Sequence, residues 1–203
     1  GRNMILFQQM ERMLKYLITN GNGSGYFSEI KANKEQRAET IHRQTMGQLV
    51  GQYLDVTHLG RDESTEKPEI LKEAYLSFNF RLKCDAVYYE NKKQDLDSIV
   101  ADRNELIHHL LPGFNPNSIE SCLETDRYLE QQREKLIPEF DMLRNMTKIL
   151  QEGWKEIGEF LASDEGKKHF NMLLLRQSRL VMLLIEKATK IARGDGWAVL
   201  DAA

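Results

Sequence analysis

The sequence predicts a mainly α protein, an up-and-down helical bundle carrying one short strand or hairpin insertion. Three observations predict it. Apolar residues recur at helical spacing over most of the chain. A single segment alternates strictly between apolar and polar residues, as a half-buried strand does. With 203 residues and 41% hydrophobic content, the chain can bury a substantial core.

Residues 1 to 3 precede the first methionine and are set aside from the fold. A first helix is expected over residues 4–18, with Ile5, Leu6, Met10, Met13, Leu14 and Leu17 on one face. The cluster Asn20-Gly-Asn-Gly-Ser-Gly25 ends it as a flexible loop. That loop lacks the G-K-[ST] ending and the preceding strand of a phosphate cradle. A second helix is expected over residues 34–54, followed by a charged surface loop over 60–68. The alternating segment covers residues 76–84, Leu-Ser-Phe-Asn-Phe-Arg-Leu-Lys-Cys. A lone strand does not stand by itself, so it must pair with an extended segment around residues 26–30 or with the same strand of a second copy.

A helix over residues 87–111 follows, stopped by Pro112-Gly113. Asn117-Ser118 opens another over 119–161, with a kink or break expected at Pro138 and Gly153. The last helix, over 164–192, is expected to turn Phe170, Leu173, Leu174, Leu180, Val181, Leu184 and Ile191 to the core. Its stretches 172–175 and 180–185 are nearly apolar all round, which places it centrally or at an interface. The domain organisation read from this pattern is a helical domain over 4–193, then a linker or the start of a truncated module over 194–203.

Net charge is −3 and the sequence pI near 6.0. No global basic field exists to hold nucleic acid non-specifically, so any RNA contact has to be local. Cys84 and Cys122 lack metal-ligand spacing, and two cysteines in a chain of this length read as reduced thiols. Neither a metal site nor a cofactor is expected. There is no apolar run of about 18 residues, and the opening Met4-Ile-Leu-Phe turns polar too soon for a signal peptide. The expectation is a cytoplasmic protein without a membrane partner.

The most informative residue is Arg103. It interrupts the apolar stripe formed by Leu96, Ile99, Val100, Leu106, Ile107, Leu110 and Leu111. At about 100° per residue, Arg103 lies near the centre of that stripe, Asn104 and His108 share one flank, and His109 projects to the opposite side. A cation aimed at a partner surface must find an anion or acceptors there, because an unpaired buried charge costs several kcal/mol. A carboxylate on a neighbouring helix would satisfy it without any function.

The run Arg103-Asn104-Glu105-Leu106-Ile107-His108 matches an R-x(4–6)-H pattern with Asn directly after the Arg. On this motif, late in an amphipathic helix of an all-helical chain, the protein resembles the HEPN superfamily of ribonuclease-type helical domains. The motif covers only residues 102–109; the rest of the likeness is architectural. The tail from Gly194 is similar to the opening of an OST-HTH or LOTUS module, which implies a C-terminal RNA-associated neighbour.

The resemblance implies a homodimer whose motif helices face each other, with single-stranded RNA cut without metal in the shared cleft. His108 would be general base to a ribose 2′-hydroxyl or acid to the leaving oxygen, histidine being the side chain that titrates near neutrality. Arg103 would hold the scissile phosphate, its planar fork of donors suiting an oxyanion. Asn104 would orient the imidazole or donate to the phosphate. His109 competes for the same role, although its face argues against it and Glu105, four residues earlier, is placed to bind it at the surface. Asp102 reads as a solvated charge, and Glu11 as either Arg103's resting partner or another solvated charge. An antitoxin would be a further partner of a toxin-like member. Two other readings stay open: a catalytically inactive RNA-binding relative, and a purely structural interaction domain.

Overall fold

The computed structural model describes residues 1–57 and 75–192, apart from the side chain of Leu111. The charged loop over 60–68 and the tail over 194–203 lie outside the described residues. The elements are α1 (Arg2–Gly21), β1 (Asn22–Tyr26), α2 (Ile30–His42), α3 (Met46–Thr57), β2 (Tyr75–Asn79), α4 (Ala86–Glu105), a π-helical turn (Leu106–Leu110), α5 (Leu111–Gly113), α6 (Ile119–Ala162), α7 (Asp164–Gln177) and α8 (Arg179–Ile191). The chain is therefore mainly helical with one small two-stranded antiparallel sheet, as the periodicity predicts. No helix among the described residues is long and apolar enough to cross a membrane.

The chain divides into two compact units. The first gathers Gly1–Asn22, the part of α2 from Lys34, α3 and Asn79–Glu152. Its core is built by Phe7, Met10, Leu14, Leu17 and Ile18 of α1, Leu49, Val50 and Tyr53 of α3, Leu96 and Ile99 of α4, and Leu136 and Leu143 of α6, all almost fully buried. The buried face of α1 thus runs through Phe7 and Ile18, while Ile5, expected inside, is 55% exposed. Asn3 is buried as well. Its amide donates to the Leu129 carbonyl at 2.8 Å and to Gln132 Oε1 at 2.9 Å, so the first residues belong to the fold after all.

The helix expected over 34–54 is two helices, interrupted at Arg43–Thr45. Thr45 and Gln48 close the new N-terminus reciprocally. The Thr45 amide donates to Gln48 Oε1 at 3.0 Å, and the Gln48 amide reaches Thr45 Oγ1 at 3.5 Å. This T-x-x-Q capping box satisfies orphan donors that the uninterrupted reading left unconsidered. Thr45→Ala is expected to cost about 1 kcal/mol, read as a lower denaturant midpoint at unchanged slope.

Pro138 sits inside α6 without ending it, and Gly153 does not break it either. Pro138 removes one amide donor, yet the flanking Leu136 and Leu143 are fully buried and hold the adjoining turns in place.

The second unit gathers Gly23–Asn33, β2 as far as Phe78, and the chain from Gly153 onward. The segment expected as a flexible glycine loop is strand β1. Gly23 allows the Phe78 ring close to its backbone, since a Cβ there would lie 3.0 Å from Phe78 Cε1. Tyr26 and Tyr75 meet edge to face at 5.7 Å, and Phe78 packs against Trp154 at 4.4 Å. Beyond Asn79 the alternation continues in sequence but not as strand, because the Phe80 amide turns to the Gly21 carbonyl at 2.6 Å and the Leu82 amide to Thr57 at 2.8 Å.

The single helix expected over 164–192 is α7 and α8, parted at Ser178, whose backbone is extended. Gln177 exchanges side-chain hydrogen bonds with the backbone of Tyr75, holding the end of α7 to β2. The core assignment for this region is corrected. Leu180 is 67% and Leu184 52% exposed; Phe170, Leu173, Leu174, Val181 and Ile191 are only half-buried, and α8 has no buried residue.

Candidate functional site

The motif helix α4 starts where Asp85 caps it, its carboxylate accepting from the Tyr88 amide at 2.7 Å. Leu96 and Ile99 fasten it to the core, and Leu106, 2% exposed, does the same at its far end. These anchors carry Arg103 into a position that is neither sealed nor free: its side chain is 29% exposed. The guanidinium Nη2 stands 3.8 Å from Glu11 Oε2 on α1. That is an ion-pair distance, too long for a hydrogen bond. Glu11 is held more tightly by Lys15, at 2.7 Å one turn along α1. Arg103 Nη1 lies 3.5 Å from Asn104 Oδ1.

The helix changes character just after Arg103. Residues Leu106–Leu110 form a π-helical turn, and both histidines ride on it. A regular α-helix up to Pro112 was expected, so the angular placement derived from it is corrected. Hydrogen bonds running i→i+5 widen the turn, so residues five apart point less far from each other than they do in an α-helix. Arg103 and His108 are five apart. Both histidines are exposed, and neither imidazole makes a hydrogen bond among the described residues. Glu105 makes no hydrogen bond or ion pair with His109 there, although their four-residue spacing would allow one.

The other side of the site comes from α6, through three residues at helical spacing that the sequence reading missed: Tyr128, Gln132 and Lys135. Gln132, buried to 2% exposure, donates through Nε2 to the Asp102 carbonyl at 2.9 Å. Lys135 Nζ reaches Asp102 Oδ2 at 3.5 Å, so Asp102 has a cation of its own and is not purely solvated. The Tyr128 hydroxyl is pushed above its ordinary range by burial first, then by the carboxylates of Asp102 and Glu105, while a hydrogen bond with Gln132 pulls the other way. The spacing 128, 132, 135 was the signal available in the sequence, but it could not be told from an ordinary solvated face.

Thus Glu11, Asp102, Arg103 and Asn104 are placed together, with His108 and His109 following on the widened turn. All lie within the first unit. Among the described residues, no group of three or more His, Cys, Asp or Glu side chains is arranged to hold a metal ion. Cys84 and Cys122 are not joined in a disulfide. No protein-family model, no curated protein and no solved structure matches the chain.

Proposed function

We propose that the protein is a HEPN-type endoribonuclease in which Arg103 and His108 form a metal-independent RNA-cutting site, completed in a homodimer. The observation that supports it most is the loose hold on Arg103: a half-buried guanidinium 3.8 Å from the nearest carboxylate among the described residues, on the helix whose next turn presents a histidine with no hydrogen bond among those residues. A phosphate oxygen can displace a contact of that length without breaking a hydrogen bond, and it offers the bidentate geometry that Glu11 does not.

In this reading a single-stranded RNA places its scissile phosphate against Arg103. His108 takes the proton of the ribose 2′-hydroxyl, and the 2′-oxygen forms a bond to phosphorus. The bond from phosphorus to the 5′-oxygen breaks and that oxygen takes a proton from water, leaving a 2′,3′-cyclic phosphate and a 5′-hydroxyl, while His108 returns the proton it took to the solvent. Arg103 stabilises the charge that accumulates on the phosphate oxygens. Asn104, whose amide is already within reach of Arg103, helps to set the guanidinium plane, and His109 is the substitute base.

A second reading is a catalytically inactive relative that binds RNA or protein; the acidic neighbourhood of Glu11, Asp102 and Glu105, which repels a polyanion, favours its protein-binding form. Incubation of the purified protein with total RNA separates the two. Cleavage is expected with and without EDTA at the same rate. Cleavage abolished by EDTA would remove the metal-independent reading, and RNA retained but uncut would favour the inactive relative. An attached LOTUS-type module or an antitoxin would be a further partner of either form.

A further inference from the structure

The geometry points to Gln132 as a positioning residue that sets the π-helical turn, and through it the approach of His108 to Arg103; the functional half of this inference rests on the nuclease reading above. A π turn is uncommon, and a departure from the i→i−4 ladder has an identifiable cause, such as a side chain inserted into that ladder. Here the inserted group is identifiable. The buried Gln132 amide donates to the Asp102 carbonyl at 2.9 Å. The Leu106 amide, the next one in line, is shared between the carbonyls of Asp102 and Arg103. The π-helical turn Leu106–Leu110 starts at that residue, whose own amide still bonds three and four residues back.

Gln132 cannot easily turn away. Its Oε1 accepts from the buried Asn3 amide at 2.9 Å, and Asn3 is itself tied to the Leu129 carbonyl at 2.8 Å. The amide is therefore oriented with its oxygen toward α1 and its nitrogen toward α4. A carbonyl that already serves an outside donor holds the Leu106 amide less exclusively, and the turn that follows is free to close one residue later. The consequence is steric rather than electronic. In an uninterrupted α-helix, residues five apart point about 140° apart at 100° per residue; the wider turn draws the imidazole back toward the guanidinium.

Gln132→Leu keeps a side chain of similar size without a donor, and Gln132→Glu keeps the shape while presenting, at neutral pH, an acceptor to the carbonyl. Scalar couplings across backbone hydrogen bonds in isotope-labelled protein report which carbonyl each amide after Leu106 bonds. Wild type is expected to couple five residues back, and both variants four residues back, with RNA cleavage at least tenfold slower and the fold intact by circular dichroism. Five-back coupling in a folded variant overturns the inference, as does a four-back variant that cuts RNA at the wild-type rate. If Gln132→Leu fails to fold, Gln132→Glu decides. A four-back shift in variants of a protein whose wild type leaves RNA uncut would uphold Gln132's control of the helix and defeat the nuclease reading instead.

Discussion

Replacing His108 by Ala is expected to slow RNA cleavage by about 10²–10⁴, the range of a single general acid or base. Arg103→Ala is expected to cost about 10²–10³, as the loss of a donor to a developing oxyanion does. The two losses should not add, because a phosphate that is not held gains little from a nearby base and a base without a held phosphate has nothing to attack. Neither variant should lower the denaturation midpoint noticeably. His108 is exposed and makes no hydrogen bond among the described residues, and Arg103 contributes a 3.8 Å contact that Glu11 replaces through Lys15 and a long 3.5 Å one to its exposed neighbour Asn104. Activity lost without stability lost is the signature of a site, whereas an arginine serving the core would show the reverse. His109→Ala is the internal control, expected to leave cleavage within a few-fold of wild type.

The largest effect on stability is expected deeper in the same unit. Lys92 on α4 and Glu139 on α6 form an ion pair at 2.7 Å with side chains only 12% and 10% exposed. The second carboxylate oxygen, Oε2, is buried and has no hydrogen-bond partner among the described residues. The ammonium also lies 5.7 Å from the centre of the Tyr88 ring, which contributes a cation–π attraction. Close by, the Tyr53 hydroxyl is pushed well above its ordinary range, chiefly by burial, with the charge of Glu139 adding to it. Removing one partner therefore strands a charge where water cannot reach it. Lys92→Met is expected to destabilise by about 3–5 kcal/mol, measured by urea denaturation. The double variant Lys92→Met with Glu139→Leu should recover most of that loss, because it replaces two charges by apolar groups of similar size. A single variant as stable as wild type would mean that the pair is solvated, contrary to its burial.

How much of this was legible in the sequence varies with the physics of each element. The inward face of α1 was readable from Met10, Leu14 and Leu17, because one stripe packs against one core. The N-terminal end of that face was misjudged: Asn3 is buried through contacts from α6 that no local pattern records, and Ile5 is exposed. The alternation at residues 76–79 found β2, and the need for a partner led to the right neighbourhood. The partner itself was hidden, because Gly23 and Gly25 read as a loop until Phe78 is found lying against Gly23. Thr45-Met-Gly-Gln48 was a readable helix start that the apolar periodicity of residues 34–54 concealed.

At the site, the sequence singled out Arg103 and offered Glu11 either as its resting partner or as another solvated charge. The π turn was not legible: the side chain we infer to set it, Gln132, packs from another helix and bonds to a carbonyl 30 residues away in sequence. The exposed apolar face of α8 has a related explanation. Leu180, Val181, Leu184 and Ile185 fall on one stripe by composition, and only coordinates reveal that no described residue of this chain buries it.

The most direct test of the Arg103–His108 site is the mass of RNA fragments produced by wild type and by His108→Ala prepared side by side. The account predicts 2′,3′-cyclic phosphate and 5′-hydroxyl ends from the wild-type protein and intact RNA from the variant. Fragments with 5′-phosphate ends, equal cutting by both proteins, or intact RNA from both would contradict it.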